Sequence, residues 1–165
     1  MKRDSQELHK RVEKAVSLFK AGCNCSQSVA AAFADLYGIT EEQMLRISAS
    51  FGGGIGRMRE TCGAACGLFM LAGLENGATD PSDREGKSAN YALVQHLAEQ
   101  FEEVNHSFNC AVLLGLQEKK HRDPEAAERT DDYYAARPCT RIVESAATIW
   151  ANYLLNESQT KNKED

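Results

Sequence analysis

Phe51-Gly52-Gly53-Gly54-Ile55-Gly56-Arg57-Met58-Arg59-Glu60-Thr61-Cys62-Gly63-Ala64-Ala65-Cys66-Gly67 is the stretch from which the rest of the chain is read. Neither a helix nor a strand tolerates its glycine run well, so Gly52, Gly53, Gly54 and Gly56 read as a loop. After Arg57 and Arg59 come Cys62 and Cys66, then the apolar run Leu68-Phe69-Met70-Leu71-Ala72. The loop therefore ends where a buried helix begins. Cys62 is expected in the first turn of that helix, with Glu60 or Thr61 near its cap. There the positive end of the helix dipole and two guanidinium groups would favour thiolate over thiol.

Helical spacing continues on both sides. Leu8, Val12, Ala15, Val16 and Phe19 mark an amphipathic first helix ending near Ala21-Gly22. Asn24 or Ser26 caps a second, alanine-rich helix over Gln27 to Tyr37, stopped by Gly38. Thr40-Glu41-Glu42-Gln43 has the pattern of a capping box and opens a short helix through Ala49. Asp80-Pro81-Ser82-Asp83 restarts the chain before a long helix marked by Tyr91, Val94, Leu97, Ala98 and Phe101, ending at Glu102-Glu103. The charged segment 117–132 reads as a solvated loop with a helical stretch over Glu125 to Arg129. A last helix starts at Arg137-Pro138-Cys139 and carries Ile142, Val143, Ala146, Ile149, Trp150 and Tyr153. Alternating apolar runs are absent, which leaves no strand. The expected architecture is all-α: one helical domain over 1–156, a bundle of roughly six to eight helices, and a disordered polar tail over 157–165.

Composition narrows the function. The chain has 165 residues, 42% of them hydrophobic, so one self-sufficient core is expected. A net charge of -5 argues against nucleic-acid binding. No apolar run is long enough to insert into a membrane, and the charged start Met1-Lys2-Arg3-Asp4 is not a signal peptide, so a cytoplasmic location is expected. Six cysteines in a reducing compartment point to metal binding or redox chemistry before structural disulfides.

Four of them share one kind of position. Cys25 follows Asn24, Cys62 follows Thr61, Cys110 follows Asn109 and Cys139 follows Pro138. Each is preceded by a residue that starts helices and followed by small or apolar ones, whereas cysteines that merely pack would scatter along helix interiors. If the four helix starts converge, they make a pocket that favours anionic sulfur. Cys23 precedes its helix, and Cys66 lies one turn beyond Cys62; either could pair with a neighbour or assist. No Cys-x-x-Cys pair occurs, so the local zinc signal is weak.

The four cysteines, with Cys62-Gly63-Ala64-Ala65-Cys66-Gly67, resemble the C-GCAxxG-C-C family of redox-active proteins over about Gly22 to Val143. The resemblance places that family's cysteines on Cys25, Cys62, Cys110 and Cys139; Cys66 occupies a free position of the motif and Cys23 lies outside it. A similar domain occurs in split-Soret cytochromes, where it is associated with an iron–sulfur cluster. This chain lacks a Cys-x-x-Cys-His haem attachment motif, so the resemblance does not extend to covalent haem.

Two kinds of redox site follow. Cys25, Cys62, Cys110 and Cys139 could hold a [2Fe–2S] cluster that passes single electrons, the version favoured here because four equivalent positions suit four ligands. Alternatively they are redox thiols that cycle with disulfides and need no cofactor. Either version requires a redox partner protein whose identity the sequence leaves open. From a different class, the same four cysteines could hold a structural zinc in a module that binds other proteins. Gly53, Gly54, Gly56 and Gly63 would let backbone pass close to the sulfur site and offer it N–H groups. The run has no Gly-Lys-Ser/Thr ending and no preceding strand, against a phosphate loop. His106 is a candidate accessory; His9, His96 and His121 read as solvated or capped. Arg57, Arg59, Arg137 and Arg141 flank the cysteines and could offset thiolate charge. Tyr133, Tyr134 and Trp150 read as packing.

Overall fold

In the computed structural model, which describes residues 4–116 and 123–164, six helices begin at a short polar side chain. Asp4, Asn24, Thr40, Asp83, Asn109 and Thr130 each accept a hydrogen bond from a backbone N–H in the following turn, which has no partner within the helix. Asn24 and Thr40 form full capping boxes with Gln27 and Gln43. The described residues form eight α-helices. They are α1 (Ser5–Lys20), α2 (Cys25–Ala31), α3 (Glu41–Ser48), α4 (Gly63–Asn76), α5 (Arg84–Asn105), α6 (Cys110–Leu113), α7 (Asp131–Ala136) and α8 (Cys139–Glu164). Short 3-10 turns follow α2 and α3. No strand occurs among the described residues; one isolated antiparallel bridge joins Thr61 to Asn109. The all-α, single-domain bundle expected from the sequence is the fold observed. No described helix is long and apolar enough to cross a membrane.

Packing centres on α2 and α4. The alanines of α2 let it lie against α1, α3, α4 and α8 at once, with Val29, Ala30 and Ala31 buried. α4 is apolar all round its first turns, as a helix enclosed by others must be. Gly67 is the point of closest approach, since a Cβ there would lie 2.9 Å from the Ser26 carbonyl oxygen and 3.0 Å from Val29 Cβ. α1 packs along α8, and Phe19, Phe33, Leu68, Leu71, Leu97, Phe101, Val143, Trp150 and Leu154 fill the space between the helices. Arg11 of α1 is buried too. It donates to Ala32 O at 3.1 Å and pairs with Asp35 and Glu7. That pairing holds the Asp35 carboxyl below its ordinary pKa.

Three sequence expectations are corrected. The second helix ends at Ala31, and the chain reaches Tyr37 through a 3-10 turn over Ala34–Tyr37. Glu125 to Arg129 is not helical; the helix of that region is α7, which Thr130 caps and whose first turn carries Asp131 and Asp132 at the favourable end of the dipole. The polar tail is not disordered over 157–164. α8 runs on to Glu164, because no glycine or proline follows Pro138 to interrupt it. Part of the charged segment, 117–122, lies outside the described residues.

The contact between α2 and α4 gives a paired test. Gly73→Ala, in the same helix with nothing within 4 Å of the new Cβ, should stabilise by about 0.5–1 kcal/mol through helix propensity. Gly67→Ala should destabilise by about 1–3 kcal/mol, because a backbone carbonyl must move. Urea midpoints of the two variants check this, and the opposite order would remove the close approach of α2 to α4.

Candidate functional site

Pro138 and the caps that start these helices also place the sulfurs. Asn24 accepts from Gln27 N at 3.0 Å, and its Nδ2 donates to Ala49 O at 2.8 Å, which fixes Cys25 as the first residue of α2. Cys62 is itself the N-cap of α4, a position earlier than expected. It is tied to the start of α6 through the Thr61–Asn109 bridge. Cys62 N donates to Phe108 O and Cys110 N donates to Glu60 O, both at 2.7 Å. Cys139, after Pro138, is the first residue of α8.

Cys25, Cys62, Cys110 and Cys139 line one cavity of about 50 Å³. That is far below the roughly 300–1,000 Å³ of small-molecule sites. Gly53, Gly54 and Gly63 line it as well, whereas Gly56 lies outside it on an exposed rim. At Gly54 a Cβ would fall 2.5 Å from Cys110 Cβ, and its φ is +72°, so only glycine fits. Of the glycines expected to offer N–H groups to the sulfurs, Gly56 does not, since the N–H groups of Ile55 through Glu60 all donate to carbonyls of residues 50–55. The loop's path is a left-handed turn, with positive φ at each residue from Gly53 through Arg57 and again at Arg59.

The sulfurs are not four thiolates. Burial pushes the Cys62 thiol up to about 12, although N–H groups of Ala64 and Ala65 pull the other way. Burial also raises Cys110, against the opposing effect of Arg59, whose Nη1 donates to Cys110 Sγ at 3.9 Å. Cys25 is raised by the hydrogen bond that it donates to Cys139, by burial, and by the charge of the neighbouring sulfurs. Cys139 alone goes down, to about 7. The Cys25 hydrogen bond is the largest cause, and Arg137, Arg129 and Arg59 add to it against the cost of burial. The expected thiolate at Cys62 is thus corrected: desolvation outweighs the helix end, and the nearby arginines stand elsewhere. Arg59 serves Cys110, and Arg57 points outward toward Asp123 Oδ2 at 3.4 Å.

Other candidates fall away from the cavity. Cys66 donates to Thr61 O at 3.8 Å, and burial raises it to about 11; neither it nor Cys23 lines the cavity. His106 is the exposed left-handed C-cap of α5. Arg141 and His96 are exposed, and His9 pairs with Glu13. His121 lies outside the described residues. Sequence reasoning missed Arg129 and passed over Tyr133, which both line the cavity. The Arg129 guanidinium lies 4.6 Å from the Tyr133 ring centre and 4.9 Å from that of Phe19, and Arg137 lies 4.6 Å from Tyr133. The one sequence signal was that arginine and aromatic residues interrupt an otherwise acidic segment, next to Cys139. Among the described residues, no three His, Cys, Asp or Glu side chains are arranged to hold a metal ion.

A family model described as "Putative redox-active protein (C_GCAxxG_C_C)" matches residues 23–153 of the chain. No curated protein and no solved structure matches it.

Iodoacetamide should label Cys139 first, with a pH midpoint of about 7. Arg137→Gln should move that midpoint up by about one pH unit. Mass-spectrometric labelling rates across pH 5–10 check both. Linkage has opposite signs at two sulfurs. Cys62 keeps its proton to about 12 when folded, so its contribution is lost as pH rises above 9.0. Cys139 stabilises above 9.0, and that contribution fades as pH falls through about 7.

Proposed function

The chain belongs to the C_GCAxxG_C_C family, and from that premise we propose that its redox centre is a thiol–thiolate pair, Cys25 and Cys139, that cycles with a disulfide. The observation that carries this reading is that Cys25 and Cys139 begin α2 and α8 and line one small cavity together with Arg129 and Arg137. Interaction between the two sulfurs raises Cys25 and lowers Cys139, and the guanidiniums lower Cys139 further, so the pair carries a thiolate at lower pH than an isolated cysteine. In the oxidising direction the Cys139 thiolate attacks one sulfur of a disulfide substrate. That bond breaks, a mixed disulfide forms, and the first substrate thiolate leaves. The proton of Cys25 passes to that thiolate. Cys25 sulfur then attacks Cys139 sulfur, forms the internal disulfide and releases the second substrate thiolate. Two protein sulfurs are oxidised and the substrate disulfide is reduced by two electrons. Tyr133, Arg129 and Arg137 screen the pair from water and stabilise its one negative charge.

Cluster or zinc ligation by Cys25, Cys62, Cys110 and Cys139 has one supporting observation, that all four line the same cavity. Cysteine sulfur is the right donor for either group. The residues as placed do not fit it. No three of them are arranged around a common point that could hold a metal.

Mild oxidation of anaerobically purified protein with diamide should give one internal disulfide, Cys25–Cys139, by peptide mapping. Cys25→Ser and Cys139→Ser should each abolish it, and Cys66→Ser should leave it. Iron, zinc and acid-labile sulfide should be substoichiometric in the same sample. Stoichiometric iron and sulfide that disappear in Cys62→Ser and Cys110→Ser would replace the thiol pair by a cluster.

A further inference from the structure

Beside the sulfur cavity, and sharing Asn24, Gly53, Arg59, Arg129, Tyr133 and Arg137 with it, lies an open basin of about 570 Å³. Its volume falls within the roughly 300–1,000 Å³ of small-molecule sites. Arg57, Arg59, Arg129 and Arg137 line it, four of the ten arginines in a chain of net charge -5, and among the described residues no Asp or Glu does. These guanidiniums are only partly used. Arg57 Nε and Arg129 Nη1 are buried without a hydrogen-bond acceptor among the described residues. Arg57 has a long contact to Asp123 at 3.4 Å, and Arg129 Nη2 donates to Cys23 O at 3.3 Å. Four guanidiniums with no carboxylate among the described lining residues leave the basin positive, and a guanidinium fork matches a carboxylate.

Resting on the thiol-pair reading, we propose that this basin binds the carboxylates of an acidic low-molecular-weight disulfide, and that this is the compound with which Cys139 exchanges. Arg57 and Arg129 hold the carboxylates, and the substrate's sulfur–sulfur bond lies toward Arg137 and Cys139. Exchange leaves the protein with the Cys25–Cys139 disulfide and splits the substrate into a thiol, which takes the Cys25 proton, and a thiolate, which solvent protonates.

Three disulfides separate the possibilities: oxidised glutathione, which is acidic, bis(2-hydroxyethyl) disulfide, which is neutral, and cystamine, which is cationic. Each rate of oxidation of the reduced protein is divided by the rate of the same disulfide with free cysteine. The normalised rate should be highest for oxidised glutathione, exceeding that of the neutral compound by at least about tenfold, the worth of a charged hydrogen bond. That ratio should fall about tenfold in Arg57→Gln and with 0.5 M salt. It should hold in Arg46→Gln, whose guanidinium pairs with Glu42 on the exposed face of α3. Arg57 is the test position because Arg129 also packs on Phe19 and Tyr133, so its loss could unfold the chain. Calorimetric titration of Cys139→Ser protein with oxidised glutathione should show saturable binding that Arg57→Gln removes. Equal normalised rates for the acidic and neutral compounds, with no binding to Cys139→Ser, overturn the acidic substrate and leave the thiol pair standing. If none of the three forms the Cys25–Cys139 disulfide, the thiol pair itself is wrong.

Discussion

Cys25 and Cys139 interact across one small cavity, and each surrounding element has a part in holding them there. Asn24 and its capping box hold the start of α2. Pro138 immediately precedes α8, and Arg137 comes before it, close enough to act on the Cys139 sulfur. α7 brings Tyr133 over the pair, and Thr130 caps that helix at the residue after Arg129. The backbone bridge at Thr61 and Asn109 closes the far wall with Cys62 and Cys110. The cavity is small and mostly apolar, so charge on its sulfurs is costly unless Arg59, Arg129 and Arg137 at its wall offset it.

Comparison of Cys62 with Cys139 shows which effect wins at a helix start. Both begin helices long enough to have a dipole, and Cys62 also receives N–H groups from Ala64 and Ala65. A helix end contributes about 0.3–1 kcal/mol, or up to about 2 when partly buried. The rise of Cys62 from 9.0 to about 12 corresponds to about 4 kcal/mol against the thiolate. Desolvation is therefore the larger effect, and a helix start alone does not make a reactive cysteine. Cys139 differs in having a proton donor on one side and guanidiniums on the other.

Much of this was legible in the sequence, and the boundary has a physical meaning. Caps and glycines act within a turn or two, so Asn24, Thr40, Asn109 and the placement of four cysteines at helix starts could be read directly. The protonation states could not, because they follow from burial and from partners far along the chain. Arg129 is the clearest case. It sits in a charged stretch that reads as solvated, yet it lies against Phe19 and donates to Cys23 O, more than a hundred residues earlier. Arg11 likewise looks like one more charge on an amphipathic helix until Asp35 and the Ala32 carbonyl close over it. The tail erred in the other direction: polar composition suggested disorder, but nothing in it breaks a helix already started in the core.

The glycine loop links the sulfur cavity to the arginine basin. Ile55, Arg57 and Arg59 all take left-handed backbone conformations, which cost an L-residue about 1–2 kcal/mol each. A plain turn could have led into α4 without that cost. This path passes Gly54 against Cys110, sends Arg59 to the Cys110 sulfur, and leaves Arg57 on the basin wall. Six successive N–H groups bonded back to carbonyls lock the turn. Strain of this kind persists where surrounding structure enforces it, and such places cluster at functional sites. Here the hydrogen bonds within the loop do the enforcing. The two non-glycine residues whose side chains leave the loop for the cavity and the basin are both arginines in the strained conformation. A right-handed path would not place both guanidiniums while also bringing bare backbone against Cys110.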